Sequence, residues 1–215
     1  MLSEIVDNSL TDKNTLHSYL DLYYSLLHKK KYTAQNILEI GIHIGGSIKL
    51  WYDFFPNAKI YGLDSQMCTD HILFPNMLKN NERVVLFTNT DAYKEDVIDK
   101  NITSKNIKFD FMIDDGPHTL ESQQNFIRYY SKFLKDDGIL VIEDVQTMEW
   151  IPKLESVVPE NLKKFITIYD LHLCTFKTPI IYTFFWGFYE FYFLEHIFHF
   201  YYKHQPKCSY NILLV

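Results

Sequence analysis

Cysteine is scarce: Cys68, Cys174 and Cys208 stand far apart in a chain of 215 residues. That excludes a disulfide framework and a cysteine-based zinc site, and it fits a reducing compartment. Seven glycines and seven prolines are too few for a collagen-like or low-complexity chain. Arginine occurs only at Arg83 and Arg128, and the formal net charge is −6. A nucleic-acid scaffold is usually basic, so no nucleic-acid partner is expected. Residues 1–8 contain Glu4 and Asp7 and no apolar stretch, so no secretory leader is expected there. The cytoplasm is the expected compartment. The lysine bias, 19 against two arginines, points to AT-rich coding DNA, which would place the protein in the host cytoplasm if its source is viral.

What the chain does have is core material. Hydrophobic residues make up 47% and aromatics 17%. An α/β domain is expected over residues 1–170, opening with an amphipathic helix at 14–28, where Leu16, Tyr19, Leu20, Tyr23 and Leu27 recur at helical spacing. Strands are expected at 36–40, 59–63, 84–87, 109–113, 138–142 and 165–169. Helices are expected at 46–55, 120–134 and 147–156, the last broken by Pro152. This alternation predicts a Rossmann-like, doubly wound, mostly parallel sheet, with residues 211–215 as a seventh strand. Ligands of such sheets bind beyond the carboxyl ends of the strands.

Four motifs fall at those ends. Glu39-Ile-Gly41-Ile-His-Ile-Gly45-Gly46-Ser47 joins the first strand to the next helix, where glycines let the backbone turn and approach an anionic or nucleoside-like ligand. It is not G-x-G-x-x-G, which weakens a dinucleotide reading. Asp64 ends the second strand, placed to accept ribose hydroxyls or to cap a helix. Thr90-Asp91 follows the third, near an adenine amino group or in a simple turn. Ile113-Asp114-Asp115-Gly116-Pro117-His118 and Val141-Ile142-Glu143-Asp144 follow the fourth and fifth. Asp114, Asp115, Glu143 and Asp144, with no basic residue near them in sequence, would repel one another, and a divalent cation would relieve that cost. Oxygen donors suit Mg²⁺. His118 is then a candidate general base beside a metal-bound hydroxyl. The plainer alternative makes each acid a helix cap.

In this order the motifs resemble the class I S-adenosylmethionine-dependent methyltransferases. Within them the chain resembles the metal-dependent sugar O-methyltransferases of the macrocin and mycinamicin types, with rhamnosyl O-methyltransferase and cephalosporin hydroxylase relatives. Thr11-Asp12-Lys13 with His17-Ser18-Tyr19 resembles their N-terminal signature, and the likeness covers about residues 10–170. The resemblance implies a cofactor, S-adenosyl-L-methionine, and Mg²⁺. It implies that Glu39, Gly41 and Ser47 line the methionine end, with Gly45 beside them. Asp64 would hold the ribose, and Asp91 would sit near adenine, with Asp114 counted among the cofactor-binding residues. Asp115, Glu143 and Asp144 would hold the metal, His118 would be the base, and His17 and Tyr19 would be candidates for substrate contact or a lid. Pro117 departs from the small residue usual there, and Thr88-Asn89-Thr90-Asp91 departs from the more usual Gly-Asp pair. The implied substrate is a hydroxyl of a small-molecule or glycan sugar, and a homo-oligomer is expected. Two other readings stand beside this one: an NAD-type or nucleotide-sugar enzyme, and a noncatalytic cofactor-binding module.

Residues 171–215 differ in composition. They hold 15 of the 36 aromatics and only two acids, Glu190 and Glu195. A membrane span needs about 20 apolar residues. Glu190, Glu195, His196 and His199 interrupt this tract, so a membrane contact is the lesser expectation. An aromatic extension, a partner-binding segment and an altered reading frame all fit the break.

Overall fold

The computed structural model describes residues 1–15, 19–171 and 212–214. Five parallel strands form its sheet: β1 (Asn36–Ile40), β2 (Lys59–Leu63), β3 (Val84–Phe87), β4 (Phe109–Asp114) and β5 (Leu134–Ile142), in the order β3-β2-β1-β4-β5. The direction of winding reverses between β1 and β4, where a doubly wound sheet opens its ligand crevice. Two three-residue strands, β6 (Ile168–Asp170) and β7 (Ile212–Leu214), pair antiparallel, and β7 meets β5 at Ile142.

The central strands β1, β2 and β4 are largely buried, whereas edge strand β3 is half-buried and β5 is exposed at Asp136 and Asp137. Alternate residues serve opposite layers. Ile37, Phe111, Ile113 and Val141 pack with α1 (Leu20–Leu27) and α2 (Gly46–Phe54). Leu38, Ile40, Met112 and Ile142 pack on the other face. Their partners there come from α3 (Glu95–Asn101), α4 (Leu120–Tyr130) and α5 (Ile151–Glu155).

Several local expectations shift. The first helix begins at Leu20, not at 14, and residues 13–15 form turns. The Tyr19 N–H donates to the Lys13 carbonyl across that loop (3.2 Å). Helix α4 stops at Tyr130 and a single 3₁₀ turn leads to β5, which starts four residues earlier than expected. Pro152 sits in the first turn of α5, where its missing N–H costs nothing, so it does not break the helix. Helix α3 was not foreseen, since only Val97, Ile98 and Ile102 carry its apolar face. Among the described residues no helix is long and apolar enough to cross a membrane. The aromatic tract, His17, and most of the 171–215 extension lie outside the described residues.

Sheet register places the motifs. Ile40 pairs with Leu63 and with Asp114, and Asp114 pairs with Ile142. One further rung follows: the N–H groups of Gly41, Asp64, Asp115 and Glu143 donate to Leu63, Phe87, Ile40 and Asp114 carbonyls (2.9–3.0 Å). Four motif residues thus leave the sheet along one line.

Candidate active site

A cleft of about 1150 Å³ opens at that line. It is lined by Gly41, Ser47, Asp64, Asp91, Asp115, His118, Glu143 and Asp144, so residues from all four motifs meet in one place.

The glycine loop is built by close approach. Gly41 has φ +91°, and a Cβ there would lie 2.0 Å from the Asp115 carbonyl oxygen. No other residue type lets the first and fourth motifs touch. Gly45, with φ +84°, caps α2 and lies against the Phe74 ring rather than on the cleft wall. Asp64 organises this loop directly. Its Oδ2 accepts from the N–H groups of Ile42 (2.7 Å) and His43 (3.0 Å), and its Oδ1 accepts from Gln66 N–H (2.7 Å). Asp91 faces the cleft while its Oδ1 accepts from Tyr93 N–H (3.0 Å).

Two residues expected at the cofactor stand behind the wall. Glu39 is fully buried and is not part of the lining. Burial pushes its carboxyl up to about 8, against an opposing pull from Lys13. Ser47 and Trp51 lie close enough to favour its charge, yet neither reaches hydrogen-bond geometry among the described residues. Asp114 is also buried, with Oδ1 accepting from the Tyr93 hydroxyl (2.5 Å) and burial raising it to about 7. A carboxyl is cheaper to bury when neutral, and both of these sit behind the cleft lining.

The acid cluster differs from expectation in one decisive way: a lysine stands in it. Lys13 is 1% exposed, and its Nζ lies 2.6 Å from Asp115 Oδ2 and 2.5 Å from Glu143 Oε2. Burial alone would lower its pKa, but the carboxylates of Asp115, Glu143 and Glu39 outweigh that and hold it above the ordinary lysine value. The Tyr23 hydroxyl donates to Glu143 Oε1 and the Tyr19 hydroxyl to Asp144 Oδ1. The Gln123 amide donates to the Glu143 carbonyl (2.9 Å). Burial, then the nearby carboxylates, push both tyrosines well above their usual range, so they remain donors.

Tyr19 supports Asp144 from a buried position, being 1% exposed and outside the cleft lining. Glu143 has both carboxylate oxygens engaged. The ligand atoms that converge belong instead to Asp115, His118 and Asp144, all within 4.8 Å of one another. His118 Nε2 lies 3.8 Å from Asp115 Oδ1 and from Asp144 Oδ2. His118 (φ +51°) and Asp144 (φ +52°) both reach the site from left-handed backbone, a conformation that packing must impose on residues other than glycine.

Lys13, Tyr23 and Tyr93 were missed as site residues. Lys13 lies 102 residues before Asp115, and nothing local announces the pairing. Tyr23 fits an ordinary apolar helix stripe; the hydroxyl was the unused signal, because a buried phenol needs a partner.

Comparison with known proteins gives the same family of likenesses. No family model matches the chain. It is 29% identical over 158 residues to mycinamicin VI 2''-O-methyltransferase of Micromonospora griseorubida, a stretch of 69% of this chain and 37% of that one. It is 27% identical over 138 residues to 8-demethyl-8-(2-methoxy-alpha-L-rhamnosyl)-tetracenomycin-C 3'-O-methyltransferase of Streptomyces olivaceus, 61% of this chain and 33% of that one. The chain thus spans about a third of the length of these curated relatives. Among solved structures, MycE methyltransferase from the mycinamycin biosynthetic pathway, in complex with Mg and SAH, superposes with a TM-score of 0.57 at 25% identity. That match covers 71% of this chain and 41% of MycE. The chain resembles the class I S-adenosylmethionine-dependent methyltransferases in fold and in sequence.

Proposed function

We propose that a chain with this sheet, this cleft and this likeness is an S-adenosylmethionine-dependent O-methyltransferase that acts on a hydroxyl of a sugar in the presence of Mg²⁺. The observation that carries the reading is the convergence of Asp115, His118 and Asp144 on the same cleft as the glycine loop. The cleft suits an S-adenosyl group: its volume is ample for a ligand of that size, its loop admits close backbone approach, and an acid ends the second strand.

Asp115 and Asp144 present hard oxygen donors on the open side of the cluster, a donor set that suits Mg²⁺ with the remaining positions left to water and substrate. His118 is better used as a base, since nitrogen is a poor partner for Mg²⁺. When bound, S-adenosylmethionine would supply a methyl group on positively charged sulfur and, with the carbon–sulfur bond broken, leave as S-adenosylhomocysteine, and Mg²⁺ would make a coordinated hydroxyl more acidic. Nε2 of His118 accepts the proton of the substrate hydroxyl, whose oxygen forms the new bond to carbon. Nε2 lies 3.8 Å from both Asp115 and Asp144, so the base stands beside the residues that would hold the ion. The chain's remaining contribution is positioning. Asp64 holds the glycine loop by two backbone donors, Ile42 and His43, so the cofactor surface is set before binding.

A transfer assay with labelled S-adenosylmethionine over nucleotide sugars and deoxysugar glycans, with and without Mg²⁺, tests this. Calorimetry separates the rival cofactor: binding of NAD and not of S-adenosylhomocysteine would overturn the reading.

A further inference from the structure

We propose that the end of the sheet opposite the cleft is a docking surface for a membrane of anionic lipid, held by lysine ammonium groups and one exposed tyrosine. Docking there leaves the cleft facing away from the lipid and is independent of the chemistry in the cleft.

Charge is segregated along the strand axis. The cleft, at the finishing end of the parallel strands, is lined by seven acids and by no lysine or arginine. At the starting end, Lys29, Lys30 and Lys31 precede β1, Lys59 opens β2 and Arg83 precedes β3. Lys105 and Lys108 precede β4, and Lys132 and Lys135 flank the start of β5. Nine bases stand there against four acids, Glu82, Asp110, Asp136 and Asp137, a formal +5 in a chain of −6.

Contacts join these loops into one surface. Lys30 Nζ lies 2.6 Å from Asp137 Oδ2, Lys135 Nζ lies 3.1 Å from Gln35 Oε1, and Lys108 Nζ donates to the Lys132 carbonyl. The Asn57 amide donates to the Tyr32 carbonyl (2.8 Å) and brings in the loop before β2. Asp137 and Asp110 pair with Lys30 and Lys135, but Lys29, Lys59, Lys105, Lys108 and Lys132 are exposed and carry no carboxylate partner among the described residues. Tyr32 is 67% exposed, with Lys31 Nζ 5.3 Å from its ring centre. Lysine beside an exposed tyrosine suits the headgroup layer of a bilayer. Nucleic-acid phosphate favours the bidentate fork of arginine, and the one arginine at this end, Arg83, turns inward to the carbonyls of Phe55 and Ala58.

The test is flotation of the full chain with vesicles of about 30 mol% phosphatidylserine in phosphatidylcholine, against vesicles of phosphatidylcholine alone. The chain should float with the anionic vesicles only, and added salt should release it, because screening shortens the reach of each ammonium. Each lysine near such a surface contributes about fivefold in affinity, so K29Q/K59Q/K105Q should bind about a hundredfold more weakly. Lys94 follows β3, Lys153 lies in α5 and Lys163 precedes β6, all exposed and away from this end. K94Q/K153Q/K163Q removes the same charge and should stay within about threefold of the parent. Equal losses in the two triple variants would make the attraction a property of net charge and overturn the proposal. Equal flotation with phosphatidylcholine alone, or none with either vesicle, also overturns it. Tighter binding to duplex DNA than to the anionic vesicles, at equal phosphate concentration, assigns the face to nucleic acid and overturns the lipid assignment.

Discussion

At the scale of single residues, His118 and Glu39 do opposite kinds of work. His118 meets the cleft, and its Nε2 lies 3.8 Å from carboxylate oxygens of Asp115 and Asp144. H118A should lower turnover by about 10²–10⁴ while leaving the affinity for S-adenosylhomocysteine unchanged, a split that single-turnover kinetics and calorimetry would reveal. Glu39 never meets the cleft and acts through stability. Its carboxyl is raised from 4.5 to about 8 in the fold. The folded chain therefore holds a proton that the unfolded chain has released, and stability falls as pH rises from about 4.5 to about 8. Thermal melts at pH 5 and pH 8 should show the parent losing stability on the order of a few kcal/mol more than E39Q, which carries no titrating group there. An equal pH response in E39Q would show that other groups set the slope.

At the scale of elements, α1 and the loop before it act as a clamp on the strand ends. Leu20, Tyr23 and Leu27 bury one face of α1 against the sheet, and the Tyr23 ring meets Trp51 (5.2 Å) and Phe111 (6.0 Å) edge to face. Y23F keeps those ring contacts and removes the donor to Glu143, so it should cost about 1–3 kcal/mol in urea melts. G41A attacks the other side of the site. A methyl group 2.0 Å from the Asp115 carbonyl must displace one of two motif loops, at a backbone angle alanine avoids. Loss of S-adenosylhomocysteine binding, with circular dichroism still reporting an α/β chain, is the expected result.

The elements also show what was legible in the sequence. Strands β1 to β4 start and end close to the expected positions, because each is a short run dominated by apolar residues. The end of α4 was less legible. Leu134 continues its apolar spacing but belongs to β5, and local pattern cannot distinguish the last turn of a helix from the start of a buried strand. The start of α1 failed for a different reason. Residues 13–15 leave helical geometry where Lys13 enters the acid cluster, so a long-range ion pair accompanies a break that local periodicity did not foresee. The same ion pair is why four acids read as an uncompensated cluster. Charge balance in a folded protein is counted in space, and Glu143 finds its cation 130 residues away.

At the scale of the molecule, five strand ends in register make one line, and the cleft is what lies beyond it. A ligand seated there touches loops from β1, β2, β3, β4 and β5 at once, so binding should stabilise the domain as a unit. S-adenosylhomocysteine at about 100 times its dissociation constant should add about 2.7 kcal/mol, seen as a rise in melting temperature, and NAD at the same concentration should add nothing.

The clamp also has a history during synthesis. Lys13 leaves the ribosome more than a hundred residues ahead of Asp115 and 130 ahead of Glu143. Until β4 and β5 are made, the ammonium has no partner and stays hydrated. When they arrive, burying their acids and burying the lysine must happen together, because either alone strands a charge without water. The acid cluster thus cannot close before β5 has been made. Contacts this distant in sequence make its folding slow relative to a helical domain of equal size. Throughout that interval the growing chain exposes the apolar edges of a parallel sheet whose central strands await one another.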